Sequence, residues 1–460
     1  MPLLKALTTA AVLWPISTVL ADADADYAKA LGTIPFERVK GSSGVFVNDG
    51  SAAAMDSSFP TCHLAPDQPC NLSSMKRDSS ALVVPGGKTR CIFSDSGPYQ
   101  FEVIPGDTDK LLIFFQGGGA CWDHASTKKN LCNTGAYPQG TTDGVFERNN
   151  PTNPFQKYTV VHVLYCDGGL HAANVTRPYN DAKGQPVHQV GYENTMSVIS
   201  WIGAQVRAGE MPSQFKSLIV AGCSAGSIGA QLWADYLLTH LSFASAAVVP
   251  DSYVGVFPSV AEKQLIYSFG LCGLPLFDPL PNLRRACVAK NLSLHESTAS
   301  VIARHPDVVF AQVQSKTDEV QKAFNLAISA DPSAGEFPCR PLKDPTCYID
   351  DARFYHTTND YLETYDVSPN HVHFLVQSSH HCYLPQKAVY TADPAGESSG
   401  GRRGETLLSW LSHLPLSPGS GQQIHTRCDG PNVSKTSWRG ASYCDAQMAG
   451  KIIHAPSPGT

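Results

Sequence analysis

The chain has 460 residues, with 34 Lys and Arg against 40 Asp and Glu, a formal charge of −6 and 42% hydrophobic residues. Nothing in that balance is basic enough for nucleic acid, and no lysine or arginine cluster marks a face for an anionic membrane. The length exceeds the ~250–300 residues at which one core stops growing, so either insertions decorate one domain or a second domain exists.

In chain order, Lys5 is followed by an apolar stretch from Ala6 to Leu20 and by Val19-Leu20-Ala21, small or apolar at both cleavage positions. Residues 1–21 therefore read as a secretory signal peptide, too short and too interrupted by Thr and Ser for a membrane span. Its removal leaves 33 basic against 40 acidic residues, a charge of −7. No later segment approaches the ~20 apolar residues of a transmembrane helix. Fourteen cysteines fit an oxidising compartment and up to seven disulfides, and the absence of C-x-x-C argues against a zinc ribbon. Sequons at Asn71, Asn174, Asn291 and Asn432 point the same way, to a secreted, extracellular glycoprotein.

Residues from Tyr27 to Cys91 are polar and rich in Gly, Ser and Pro, the composition of an N-terminal wrap. Strand-like runs then alternate with helical ones: 110–115, 159–165, 217–220, 246–249, 308–313 and 373–377 are strands, with helices at 192–206 and 318–330. That alternation predicts an α/β fold, a mainly parallel central sheet with helices on both faces, decorated by loops and disulfides. No linker or repeat divides residues 22–460, which are taken as a single domain with a C-terminal extension; 394–404 reads as an exposed Gly/Ser/Arg loop.

The segment Gly222-Cys223-Ser224-Ala225-Gly226 has the G-x-S-x-G form, with the strand from Lys216 to Val220 before it and an amphipathic helix from Ala225 to His240 after it. A serine on such a strand-to-helix turn is a nucleophile elbow of the α/β-hydrolase type. Ser224 is the candidate nucleophile. The run Leu111 to Phe115 ends in Gln116-Gly117-Gly118-Gly119-Ala120-Cys121-Trp122, where glycines let the backbone turn its amides inward. Gly118, Gly119 and Ala225 are the candidate oxyanion donors. Trp122 is expected to wall the acyl group, with Ala120 opening space beside it.

In this fold an acid and then a histidine follow the serine. Asp318 stands just past the strand Val308 to Val313; it equally suits a helix N-cap, with Glu319, Asp350 and Asp351 in reserve. The base is His380 or His381, adjacent residues whose side chains diverge in an extended segment. Four histidines fall between His371 and His381, and His371 and His373 share a strand face as a metal pair would. Without H-E-x-x-H or a matching carboxylate arrangement, a polar strand edge explains them more simply.

These segments resemble the pectin acetylesterase and Notum carboxylesterase family: the G-G-G-x-C loop at Gly117 to Cys121, Asn153-Pro154-Phe155 with Tyr165-Cys166-Asp167, the G-C-S-A-G elbow, Asp318-Glu319-Val320-Gln321 and His381-Cys382. The likeness spans about Leu111 to Cys382. Where the family has an aromatic before the loop cysteine this chain has Ala120, and Ser227 stands where a third small Gly is common. The resemblance implies a catalytic triad of Ser224, Asp318 and His381, the oxyanion trio Gly118, Gly119 and Ala225, and neither cofactor nor metal. It further implies a secreted serine carboxylesterase acting on O-acetyl groups of an extracellular polysaccharide such as pectin. A fatty-acyl protein deacylase, which would need a deep apolar pocket, and a non-catalytic binding relative are the alternatives.

Overall fold

In the computed structural model residues 27, 29–31, 59–331, 347–396, 404–428 and 451–455 are described. The predicted signal peptide, Asn432 and most of the loop at 394–404 lie outside them, as does much of the expected N-terminal wrap.

The strands are β1 (Thr61–His63), β2 (Ala81–Val84), β3 (Phe101–Ile104), β4 (Asp107–Phe115), β5 (Tyr158–Val163), β6 (Val175–Asn180), β7 (Pro186–Gln189), β8 (Ser217–Cys223), β9 (Ala246–Asp251), β10 (Val309–Ser315), β11 (His371–Val376), β12 (Gln423–His425) and β13 (Ile452–His454). The helices are α1 (His124–Lys128), α2 (Gly191–Arg207), α3 (Ala225–His240), α4 (Ser259–Ser268), α5 (Pro281–Val288), α6 (Leu294–Arg304), α7 (Glu319–Ser329), α8 (Asp351–Asp366), α9 (Ala388–Thr391) and α10 (Leu407–Leu411).

Nine strands make one sheet in the order β1-β2-β3-β5-β4-β8-β9-β10-β11. The six strands predicted from the sequence are its six contiguous members from β5 to β11, every neighbouring pair parallel. β3 pairs antiparallel with both β2 and β5, and β6–β7 and β12–β13 form separate two-stranded ribbons. The mainly parallel α/β-hydrolase-type fold is thus present. Chain order reverses around β4, so the crevice at the carboxyl ends of β4 and β8 is the switch point where open α/β sheets bind ligands.

Successive residues of each central strand enter opposite cores, as the pleat requires. Leu218 and Val220 of β8 pack with Leu111, Ile113 and Val248 under α2 and α3. Ile219, Ala221 and Cys223 pack with Leu112, Phe114 and Val249 against Trp410 of α10. The first face carries the long helices and the second only short helices and loops. α3 was expected to be amphipathic, yet residues 225–235 are all buried. It is sandwiched between the sheet and α6, where an apolar surface all round is needed.

Five disulfides join Cys62–Cys70, Cys91–Cys166, Cys121–Cys132, Cys223–Cys382 and Cys272–Cys287, and Cys347 and Cys428 are also disulfide-bonded. Of the sequon asparagines, Asn174 and Asn291 are exposed and Asn71 is partly buried. Among the described residues no helix is long and apolar enough to cross a membrane.

The tightest joint in the sheet lies at the elbow, where a Cβ on Gly226 would overlap the Phe115 carbonyl and one on Gly222 would overlap the Gly226 carbonyl. Both obstacles are backbone and cannot rotate away. Gly226→Ala should therefore lower unfolding stability by about 2 kcal/mol or more, read as a fall in denaturation midpoint, because overpacking costs ~1–3 kcal/mol even where side chains can yield. An unchanged midpoint would refute this close approach.

Candidate active site

β8 delivers Ser224 at its carboxyl end in a conformation (φ 59°, ψ −123°) foreign to L-residues. Such strain costs on the order of 1–3 kcal/mol and persists because neighbours over-determine it. The Ser224 amide donates to the Asp251 carbonyl (3.0 Å), its carbonyl accepts from Ile228 as α3 begins, and the residue lines a buried cavity.

Across the β4–β8 pair, the strand before the glycine run ends beside the elbow, Phe115 opposite Gly222. Gly118 (φ 152°) and Gly119 (φ 70°) turn their carbonyls into the protein: Asn133 N–H donates to Gly118 O (2.7 Å) and Tyr165 O–H to Gly119 O (2.9 Å). A Cβ at Gly118 would strike Tyr165 and Asn133. Burial lowers His171 to about 3, so its neutral ring donates Nε2–H to Gln116 O (2.8 Å) and anchors the start of the loop. Cys121–Cys132 closes the far side. Among the described residues none of the amides of Gly118, Gly119 and Ala225 donates to a protein acceptor. Ala225 is the first residue of α3, where helical amides have no partner of their own and the dipole favours negative charge.

Asp318 is wholly buried and serves two partners. It caps α7, accepting from Gln321 N–H (2.9 Å) and Gln321 Nε2 (2.9 Å), and it accepts from His381 Nδ1 at 2.8 and 3.0 Å. His381 Nε2 is buried, has no partner among the described residues, and belongs to a ring that lines the same cavity as Ser224. His380 turns away: its Nε2 bonds Cys382 O (3.1 Å) and its ring meets Tyr383 edge-on. Glu319, Asp350 and Asp351 are exposed; Asp350 caps α8 and Asp351 pairs with Lys322. Ser224, His381, Gly119 and Ala225 thus line one cavity, with Asp318 bonded to His381 behind it and Gly118 next to Gly119, and the reserves lie outside.

Two residues that sequence reasoning missed hold the histidine segment. Asp251 accepts from the amides of Tyr383 and Leu384 (2.7 Å each) and from Ser252 Oγ (2.8 Å), which accepts in turn from Cys382 N–H (2.9 Å). Burial pushes the Asp251 carboxyl up to about 6. The Cys223–Cys382 bridge bonds the residue before Ser224 to the residue after His381. An Asp-Ser pair ending a strand is the signal that could have located this anchor.

The cavity beside Ser224 measures about 40 Å³ and is walled by apolar side chains from α7 and from the helical insertion between β9 and β10, among them Phe257, Leu265, Leu294, Phe324 and Ile328. Ala120 lines it, as expected; Trp122 does not. Its indole stands one layer behind Phe324 (ring centroids 6.5 Å), tethered through Nε1 to Asp331 (3.0 Å).

Asp366, His371 and His373 bring ligand-type atoms within 4.8 Å of one another at the other end of β11. Both histidines are buried, 1% and 0% exposed, which corrects the expectation of a polar strand edge. β11 is an edge strand, but α8, β12 and β13 cover it. Burial alone would raise the Asp366 carboxyl, yet His373 and His371 outweigh it and hold it well below the usual carboxylate range. Lys451 Nζ bonds Asp366 Oδ1 (3.2 Å), Asp366 O (2.9 Å) and Ser368 O (2.7 Å), so an ammonium already balances this carboxylate. In the other close grouping, Cys223, His381 and Cys382, both sulfurs are spent in a disulfide.

Glu262, also on the cavity wall, is buried with Oε1 accepting from Tyr253 O–H and Leu294 N–H (3.2 Å each), and burial raises it to about 7. A carboxyl raised on folding contributes stability that is complete below its unfolded pKa near ~4.3 and is lost as pH rises through the folded value. Wild type should thus lose roughly 3 kcal/mol relative to Glu262→Gln between about pH 4.5 and 7. Paired Tm measurements would show it; a pH-independent difference would refute the assignment.

The sequence pattern of the pectinacetylesterase family matches residues 90–413, a wider span than the motifs alone covered. No curated protein matches the sequence. Among solved structures, two crystal forms of the Wnt deacylase Notum from Drosophila are similar at 15% identity. One has a TM-score of 0.44, covering 65% of this chain and 85% of that one; the other has 0.48, with 73% and 92% covered. Matched from β3 through β11, with the glycine loop, the elbow and the His381 segment together, the chain belongs to the pectinacetylesterase family of ester hydrolases.

Proposed function

We propose that this protein is a secreted serine carboxylesterase, made with a cleaved signal peptide, that removes short acyl groups, O-acetyl groups of an extracellular polysaccharide first among them. The observation that carries the reading is one cavity lined by a strained serine, by His381 with buried Asp318 bonded behind it, and by Gly119 and Ala225. Ser224 Oγ attacks the ester carbonyl carbon while His381 Nε2 takes its proton, and Asp318 holds Nδ1–H and stabilises the imidazolium. The amides of Gly118, Gly119 and Ala225 donate to the oxygen on which negative charge develops. The carbon–oxygen bond to the alcohol then breaks, and His381 returns the proton to the leaving oxygen. Water, deprotonated by His381, attacks the acyl-enzyme, and the acid leaves as Ser224 is reprotonated.

Acyl size follows from volume. A cavity of about 40 Å³ is about a quarter of the ~150 Å³ of an apolar cavity that takes benzene, which favours acetyl over a fatty chain. The apolar side chains of Phe257, Leu265, Phe324 and Ile328 on its wall are the observation that favours the second reading, a longer-chain deacylase. Disulfides and exposed sequons at Asn174 and Asn291 support secretion.

Ser224→Ala should lower turnover of an acetyl ester about 10⁵-fold or more, and His381→Ala nearly as much, because such residues act as a unit. His380→Ala should cost far less. A fully active Ser224→Ala enzyme, or an organophosphonate that leaves Ser224 unlabelled, would show the protein to be a non-catalytic relative.

Across p-nitrophenyl acetate, butyrate, octanoate and palmitate, kcat/KM should peak at acetate or butyrate. Each methylene left outside the cavity gains none of the ~0.8 kcal/mol available from burial. A maximum at octanoate or beyond would replace the acetyl reading with the deacylase one.

A further inference from the structure

The cavity beside Ser224 takes its apolar wall from the face of the sheet that carries α3, where Leu170, Ile228 and Phe324 belong to one core. A second cavity, of about 340 Å³, lies on the other face: Phe114 and Cys223, which line it, belong to the opposite core. The same three stretches of chain border both. Gly119, Ser224 and His381 line the first, and Gly117, Cys223 and Pro385 line the second. An ester attacked at Ser224 thus has room for its acyl group on one face and for its alcohol on the other. The wall of the second cavity includes His162, half of a buried pair that the mechanism does not use. His162 stands opposite Glu102 in the β3–β5 register, and the two are 1% and 0% exposed. The Glu102 carboxylate accepts from Ser80 O–H, from His162 Nδ1–H (2.9 Å) and from the amides of Gln139 (3.0 Å) and Gly140 (2.8 Å). Burial alone would raise this carboxyl, yet the bonds from His162 and Ser80 hold it below its ordinary value. With Nδ1–H committed to Glu102, His162 has Nε2 left for the cavity. That atom and Asn133 Oδ1, on the same cavity wall, are buried and have no partner among the described residues. Such atoms are costly to leave unpaired. A hydroxyl satisfies both, since it can donate to an amide oxygen and can donate to or accept from an imidazole nitrogen.

We propose that this second cavity binds the alcohol part of the ester, a sugar ring whose free hydroxyls bond His162 Nε2 and Asn133 Oδ1, with Glu102 as the positioning residue that fixes the His162 ring. The inference rests on Ser224 being the nucleophile. At about 340 Å³ the space is roughly twice the ~150 Å³ of a cavity that takes benzene, enough for one six-membered ring with its hydroxyls. Apolar surface from Phe114 and Pro385 beside polar groups suits a ring with C–H faces and O–H edges. The rim is open to solvent at Asp143 and Lys387, whose charged groups lie 3.8 Å apart, so a polysaccharide can continue outward from the bound ring. An alcohol without hydroxyls leaves both buried atoms unpaired, and that penalty is the source of selectivity for the sugar.

The test is the ratio of kcat/KM for a mono-acetylated methyl glucopyranoside to that for cyclohexyl acetate, taken within each protein so that general losses cancel. The two esters share the acyl group and the ring size and differ in hydroxyls. His162→Phe should lower the ratio about tenfold, and Asn133→Ala added to it should lower the ratio further. His162→Gln keeps an amide that can reach both Glu102 and a hydroxyl, and should retain more of the ratio than His162→Phe. Val320→Ala alters the acyl cavity, does not border the second, and should leave the ratio at the wild-type value. An unchanged ratio in the double variant, or an equal fall from Val320→Ala, overturns the proposal. Should His162→Phe not fold, because Glu102 loses a donor, Asn133→Ala alone reads the same ratio, and no fall there counts against the site. Failure of the esterase reading is separate: wild type would then neither hydrolyse p-nitrophenyl acetate nor label with an organophosphonate at Ser224. The site would then be read by saturation-transfer NMR, where wild type should bind methyl glucopyranoside in preference to cyclohexanol and His162→Phe should not; no preference in wild type overturns it.

Discussion

The structure depends on how closely the backbone of Gly226 lies under the carbonyl of Phe115. That approach binds the first turn of α3 to the end of β4, with Phe115 opposite Gly222 in the sheet. Because neither obstacle is a side chain, the serine turn cannot relax toward an ordinary φ without parting two paired strands. The strain at Ser224 is thereby maintained by the sheet, and the glycine run that follows Phe115 starts at a fixed distance from the serine. Gly119 and Ala225, from two distant stretches of sequence, line one cavity because both follow the same pair of strands.

A second constraint ties His381 to this frame. His381 sits on an irregular segment, and loops are ordinarily the mobile part of a fold. Here three consecutive amides after it are hydrogen-bonded to Asp251 and Ser252, and Asp251 also holds the Ser224 amide through its carbonyl. One strand end thus serves both the serine and the histidine, and the Cys223–Cys382 bridge repeats the connection covalently. Asp318 reaches His381 from the next strand while capping its own helix, so a single carboxylate fixes the ring and the start of α7 together. The raised Asp251 carboxyl shows the electrostatic cost of this arrangement, a buried acid satisfied by donors that carry no charge.

The cavity wall beside Ser224 comes mainly from elements other than these strand ends. α4, α6 and the residues between β9 and α4 supply Phe257, Leu265 and Leu294, and α7 supplies Val320, Phe324 and Ile328. A pocket assembled by helix packing can change size by one side chain while the strand ends that hold Ser224, Asp318 and His381 stay in place. The same separation explains why Trp122, close in sequence to the glycine loop, is not part of that wall: the Cys121–Cys132 bridge and the bond to Asp331 carry the indole behind Phe324.

The six central strands, α2, α3 and α7 were legible in the chain because each has a local cause: unbroken apolar runs for strands buried on both faces, and a cap at Asp318. Ser224 was legible for the same reason, since a G-x-S-x-G turn is a demand made by adjacent residues on one another. Asp318 and the pair His380–His381 could be narrowed by position after a strand, but spacing left cap against partner, and one histidine against its neighbour, undecided; the resemblance implied the choice. Contacts across 63 residues of sequence show how the neighbours differ, putting His381 on Asp318 and His380 on its own strand turn. Burial of His371 and His373, the Asp251–Ser252 anchor and the apolar wall beside Ser224 depend wholly on which elements pack together. Periodicity reports a residue's local face; what lies against that face is set by tertiary packing, and with it the volume left beside the serine.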